Sequence, residues 1–286
     1  MTNRLRLSVT YTTTLLIASC TLSTAHSAPP WVDARQIGPF LCQATFPLKP
    51  YGPLFAELPQ LQRELGRTLG LPPSRRPINI YLFRDEAEHR AFLRDRYAHV
   101  PYRRALFIKE GAHAGVYAYR HAELDIDLRH ECTHALLHSV LPTVPLWLDE
   151  GLAEYFEVPP GRRAFDHPHF ESLRWNMRLG MVQSIEALEQ RQELPDMDGL
   201  DYRYSWAWVH FMLHGPEPAH QALVAYISGL QRASDGQTAS GPEIQLAAFV
   251  DTFEAASLPS PLSSRLAQAL PNTTERMVHH FKNWHK

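Results

Sequence analysis

Apolar residues recur at spacings of three and four through Leu54, Phe55, Leu58, Leu61, Leu65 and Leu69, which predicts an amphipathic helix ended by Gly70. The period then changes. Ile78 to Phe83 (INIYLF) is rich in β-branched and aromatic residues between Pro77 and Asp85, and predicts a buried strand. Residues 86 to 97 return to helical spacing, and Ala105 to Ile108 and Gly115 to Tyr119 (GVYAY) predict two further strands turned at Glu110-Gly111. From Asp125 onward the pattern is helical, with helices expected at 127 to 140, 147 to 157, 168 to 179, 184 to 193, 200 to 214, 217 to 231, 243 to 254 and 271 to 285. Prolines 29, 30, 39, 47, 50 and 53 make residues 29 to 52 an extended lead-in, and the Ser/Gly-rich stretch 234 to 241 reads as a loop. The expected fold is α+β: one domain over 53–286, with an α/β front part at 53–126 and a helical part at 127–286.

Residues 1 to 28 read as a targeting segment. Arg4 and Arg6 make a positive start, Leu5 to Ile17 form a short apolar stretch, and small residues follow. Two processing routes fit: Ile17-Ala18-Ser19-Cys20 resembles a bacterial lipobox with Cys20 as the lipidated residue, and Ala25-His26-Ser27 before Ala28 fits ordinary signal peptidase. Either implies an exported protein of the cell envelope, periplasmic, lipid-anchored or secreted. No later window offers eighteen consecutive apolar residues, so membrane contact is expected only through that anchor. Cys42 and Cys132 then remain, as one disulfide or two buried thiols.

Composition changes the picture little. With 44% apolar residues over 286 positions the chain can bury a core, and 28 basic against 30 acidic residues leave no field to gather a polyanion, so nucleic acid is not an expected partner. The sixteen histidines invite a search for metal-ligand spacing.

That search finds His130-Glu131-Cys132-Thr133-His134, an H-E-x-x-H. Positions i and i+4 stack on one helix face, so both imidazoles can reach one Zn²⁺ at about 2.0–2.1 Å. Glu131, one step round, can take a proton from a water on the metal and return it to a leaving amine. Pro142 and Pro145 end this helix and turn the chain back. His138 lies about 12 Å along the axis from His130, too far for a third ligand; Glu150 on the returning helix can supply one. Glu154, a turn further on, is placed to hold a ligand imidazole from behind. His138 reads as an interfacial residue. His210 and His214 repeat the i, i+4 spacing without an accompanying glutamate, and His167, His169, His279 and His280 read as surface or loop residues.

Together with Trp147-Leu148-Asp149-Glu150-Gly151-Leu152-Ala153-Glu154-Tyr155-Phe156, the motif resembles the gluzincin metallopeptidases, above all the small peptidase-MA-like proteins of bacterial envelopes. The resemblance covers residues 78 to 214. It implies a zincin-like fold, a small mixed sheet packed on the H-E-x-x-H helix, with His130, His134 and Glu150 binding Zn²⁺ and Glu131 as general base and acid. Such families also place a tyrosine or histidine on a later helix to stabilise the oxyanion, and Tyr202 to Val209 resembles the aminopeptidase Y-E-x-G-x-x-V helix. Tyr202 stands at that position, with Tyr204 the alternative, although Ser205 replaces the usual glycine. GVYAY resembles the edge strand that pairs with an extended peptide in this group. The function expected is zinc-dependent hydrolysis of a peptide or protein substrate. The alternatives are a catalytically weak zinc-bearing, peptide-binding lipoprotein and a zinc amidohydrolase acting on a cell-wall amide.

Overall fold

A computed structural model describes residues 31–111, 113–235, 244–246 and 259–284. The targeting segment, and Cys20 with it, lies outside the described residues. The front of the chain runs β1 (Asp33–Ile37), β2 (Phe40–Ala44), α1 (Gly52–Leu69), β3 (Ile78–Phe83), α2 (Glu86–Arg96), β4 (Ala105–Glu110) and β5 (His113–Tyr119). These strands, with β6 (Ile244–Leu246), form one mixed sheet in the order β1-β2-β3-β5-β4-β6. The stretch read as an extended lead-in is indeed extended, but its strands are paired: β1 with β2 antiparallel, and β2 with β3 parallel.

Two expectations about strands need correction. GVYAY is not an edge. β5 is hydrogen-bonded to β3 on one side (Val116 opposite Ile80) and to β4 on the other (Val116 opposite Phe107). The expected helix at 243 to 254 begins instead as β6, which pairs antiparallel with Ile108–Glu110 of β4; residues 247 to 254 lie outside the described residues. An Ile-Gln-Leu triplet fits either period, and the free side of β4 offers backbone partners that a short apolar pattern does not announce.

The helical part comprises α3 (Leu124–His138), α4 (Leu146–Glu157), α5 (His169–Arg178), α6 (Ile185–Leu188), α7 (Gly199–His214), α8 (Glu217–Asp235), α9 (Leu262–Ala269) and α10 (Thr273–Asn283). The helix expected at 184 to 193 shrinks to the single turn α6, started by the Ser184 side chain accepting from the Ala187 N–H. Helix α9 was not expected, because Leu262 and Leu266 carry its buried stripe in eight residues. Among the described residues no helix is long and apolar enough to cross a membrane.

The core that positions the site lies between the sheet and α3. Ile80, Phe107, Val116 and Ala118 from the strands bury against Leu128, Cys132, Ala135 and Leu136 of α3. Cys42 and Cys132 are both buried free thiols. Helix α4 is sandwiched between α3 and α7. Its crossing with α7 is unusually close at Gly151, where an added Cβ would meet the Ser205 carbonyl oxygen at 2.5 Å. The glycine of this crossing therefore stands on α4, opposite Ser205.

Candidate metal and catalytic centre

Helices α3 and α4 run antiparallel, so residues late in α4 face residues early in α3. Arg129, 3% exposed, fixes that register: its guanidinium donates to the Glu157 carbonyl at the end of α4 and reaches Asp125 at 2.7 Å and Glu57 at 3.2 Å. The neighbouring residues then come together as expected. His130 Nε2 lies 3.6 Å from Glu150 Oε2, and His134 Nε2 lies 3.8 Å from the same oxygen.

The fit to a metal can be judged from these atoms. Donors about 2.0–2.1 Å from a tetrahedral zinc lie roughly 3.3–3.4 Å from each other, and the three donor atoms here are all within 4.8 Å of one another. The outer nitrogens point the same way. His130 Nδ1 lies 2.9 Å from Glu157 Oε2, and His134 Nδ1 lies 3.0 Å from Asp149 Oδ1. His130 Nδ1 is hydrogen-bonded to Glu157, His134 Nδ1 faces the charge of Asp149, and each Nε2 is turned towards Glu150. Three lone-pair donors converging in a buried space suit a cation. Burial opposes charge on both rings, yet Glu150 and Glu157 raise the pKa of His130 well above its ordinary value, and Asp149 raises that of His134. Positive charge is favoured at this point between the helices.

The carboxylate behind His130 is Glu157, not Glu154 as expected. Glu154 turns to His169, whose Nε2 is 3.0 Å from its Oε2. Asp149, behind His134, was not anticipated at all. Its Oδ2 accepts from His138 Nε2 at 2.8 Å, and although burial works against the charge, His134 and His138 hold the carboxyl below the usual carboxylate range. The His134–Asp149 approach, although short, is off the line of the ring N–H, so neither atom counts as hydrogen-bonded. A second close group, Glu154, Glu157 and His167, is less suited to a metal. His167 Nε2 is 3.0 Å from the Glu154 carbonyl and its Nδ1 accepts from the His169 N–H, so both ring nitrogens are engaged.

Glu131 stays outside the ligand set and faces a cleft of about 420 Å³ lined also by Arg104, Ala105, Ile126, Asp127 and His130. Burial pushes its carboxyl pKa up, against the opposing pull of His130 and His134, which suits a base that must also release its proton. Arg104 is tied into the wall, donating to Asp127 at 2.7 and 2.8 Å and to Glu123 at 2.6 Å.

The two candidate tyrosines separate. Tyr204 is fully buried and its hydroxyl donates to the Met181 carbonyl at 2.6 Å. Tyr202 packs its ring beside Leu146 and Met197, while burial and nearby Glu150 push its pKa up to about 12 against the opposing pull of Arg103. Arg103 also pulls the Glu131 pKa down electrostatically. No spacing rule pointed to Arg103, since it arrives from the loop before β4.

Of the histidines read as surface or loop residues, His279 is exposed, whereas His167 and His280 are tied into the fold. His167 is 4% exposed and stacks on Trp206 at 4.4 Å between ring centroids. His210 donates or accepts at both nitrogens, with Ala164 O at 3.0 Å and His280 Nε2 at 3.2 Å, and His214 Nε2 meets the Tyr155 hydroxyl at 2.7 Å. These rings knit α10 to α7.

No protein-family model matches the chain, and no curated protein matches it in sequence. A solved structure described as the crystal structure of M1 zinc metallopeptidase from Deinococcus radiodurans is similar over 88% of this chain and 50% of that one, at 16% identity and a TM-score of 0.42. The chain thus spans about half the length of that peptidase.

Proposed function

We propose that this chain is a zinc-dependent peptidase of the gluzincin type with a zincin-like fold. The observation that carries the reading is the convergence of His130 Nε2, His134 Nε2 and one Glu150 oxygen, with Glu131 beside them on the cleft rather than among them. A zinc ion held by His130, His134 and Glu150 would supply Lewis-acid polarisation of the scissile carbonyl and acidification of a water molecule. Glu131 takes the proton from the attacking water and passes it to the leaving amine, a shuttle helped by its raised pKa. Tyr202 donates a hydrogen bond to the oxyanion that develops on the substrate carbonyl, steadied by Arg103. An extended peptide adds along the outer side of Ala105–Phe107, the part of β4 that β6 leaves unpaired among the described residues.

Export, with residues 1–28 removed or Cys20 lipidated, belongs to the same proposal, as does the single domain over 53–286. Cleavage profiling on a mixed peptide library with zinc-loaded protein tests the activity. Cuts are expected from the wild type and none from Glu131→Gln; a wild type that binds zinc and cuts nothing would overturn the peptidase reading.

A further inference from the structure

His138 and Asp149 carry a role that the H-E-x-x-H reading does not include. His138 follows His134 by one helical turn, so both rings leave α3 on the side of α4. Asp149 stands between them, with Oδ1 3.0 Å from His134 Nδ1 and Oδ2 2.8 Å from His138 Nε2. All three are enclosed: Asp149 is 0% exposed, His134 2% and His138 8%. A carboxylate with no access to water needs compensation: Oδ2 has it as a hydrogen bond with His138, while Oδ1 lies close to His134 Nδ1 but off the line of a hydrogen bond, so that pair attracts by charge.

We propose that His138 is a positioning residue of the metal centre, acting through Asp149 to fix the ring orientation and tautomer of the metal ligand His134. The inference rests on the zinc site proposed above. The far side of the His138 ring determines its protonation. Its face stacks on Phe107 at 5.8 Å and 23°, and its Nδ1 is buried with no hydrogen-bond partner. An N–H at Nδ1 would be stranded there, whereas a bare lone pair costs less. The ring proton therefore sits on Nε2 and is directed at Asp149. With Oδ2 held by His138, the carboxylate cannot rotate away, and Oδ1 remains beside His134 Nδ1. Unlike His138 Nδ1, His134 Nδ1 has a carboxylate oxygen 3.0 Å away, and its charge favours the ring proton on that side, which leaves Nε2 free to bind metal. His130 has no equivalent anchor: Glu157 behind it is 17% exposed in its side chain and its neighbours Glu154 and His169 pair with each other.

Three substitutions and one measurement on the wild type test this. His138→Phe keeps a flat ring against Phe107 and removes the donor, while His138→Gln offers an amide N–H to Asp149. Zinc affinity is measured by competition with a chromophoric chelator, on protein verified as folded by circular dichroism. His138→Phe is expected to bind zinc about 10–100-fold more weakly, His138→Gln within a few-fold of wild type, and Asp149→Asn to add little once His138 is Phe. Equal affinity of His138→Phe and wild type overturns the inference, as does His138→Gln binding as weakly as His138→Phe. Should His138→Phe fail to fold, ¹⁵N NMR of the unmodified zinc-loaded protein decides: protonation at Nε2 of His138 supports the role and protonation at Nδ1 refutes it. A wild type that takes up no zinc would instead overturn the proposed zinc site, an outcome distinct from these.

Discussion

A β-carbon on Gly151 would lie 2.5 Å from the Ser205 carbonyl oxygen and 2.7 Å from its carbonyl carbon. Both atoms belong to the backbone of α7, so no side chain can swing aside, and α4 must shift if the residue grows. Gly151→Ala is therefore expected to destabilise the protein by about 1–3 kcal/mol, measured by chemical denaturation. Because Glu150 is the neighbouring residue, zinc affinity should fall with it. A variant as stable as wild type would mean that the two helices are not packed this closely.

The carboxylates of α4 should not be equivalent. Glu157 contacts the outer nitrogen of His130 at 2.9 Å, while Glu154 is turned to His169. Glu157→Gln is expected to weaken zinc binding roughly 10–100-fold, with Glu154→Gln close to wild type in the same chelator competition. The reverse order would restore the simpler expectation from helical spacing.

The tyrosines give a second contrast. Tyr202→Phe should lower kcat roughly 10²–10³-fold with little change in KM, as loss of an oxyanion donor does. Tyr204→Phe removes the hydrogen bond to Met181 and should cost about 0.5–1.5 kcal/mol of stability while leaving kcat in place. Steady-state kinetics beside thermal melts separates the two.

Stability should fall in acid through the buried histidines. Burial, aided by neighbouring imidazoles, holds His210 at about 2 and His280 and His167 at about 4. In the unfolded chain these groups titrate near about 6.5, so below that pH the unfolded state binds protons that the folded state refuses. Their contribution is complete above about 6.5 and is lost progressively as the pH falls towards 4. Thermal melts of zinc-loaded protein between pH 7 and 5 should show a falling midpoint. His280→Gln should flatten that slope, and an unchanged slope would remove His280 from the explanation.

The local chemistry was legible in the sequence because it depends on short spacings. The i, i+4 pair His130 and His134, Glu131 beside them, the return through Pro142 and Pro145, and the buried strand at 78–83 all follow from periods that a few consecutive residues impose. Glu150 could be anticipated because only one short turn separates the two helices. The choice between Glu154 and Glu157 could not. Both lie near the face that carries Glu150, and they differ only in where α4 stops relative to α3, a register set by Arg129 reaching the carbonyl of Glu157. Asp149 looked like one more charge beside Glu150 until His138 faced it across the interface. The interior place of GVYAY and the pairing of β6 were likewise decided by strand neighbours distant in sequence. The sequence by itself determined the H-E-x-x-H helix and the place of Glu131 between its two histidines. Only the tertiary structure decided which side chains stand behind those imidazoles, because contacts across an interface depend on long-range packing that no local period encodes.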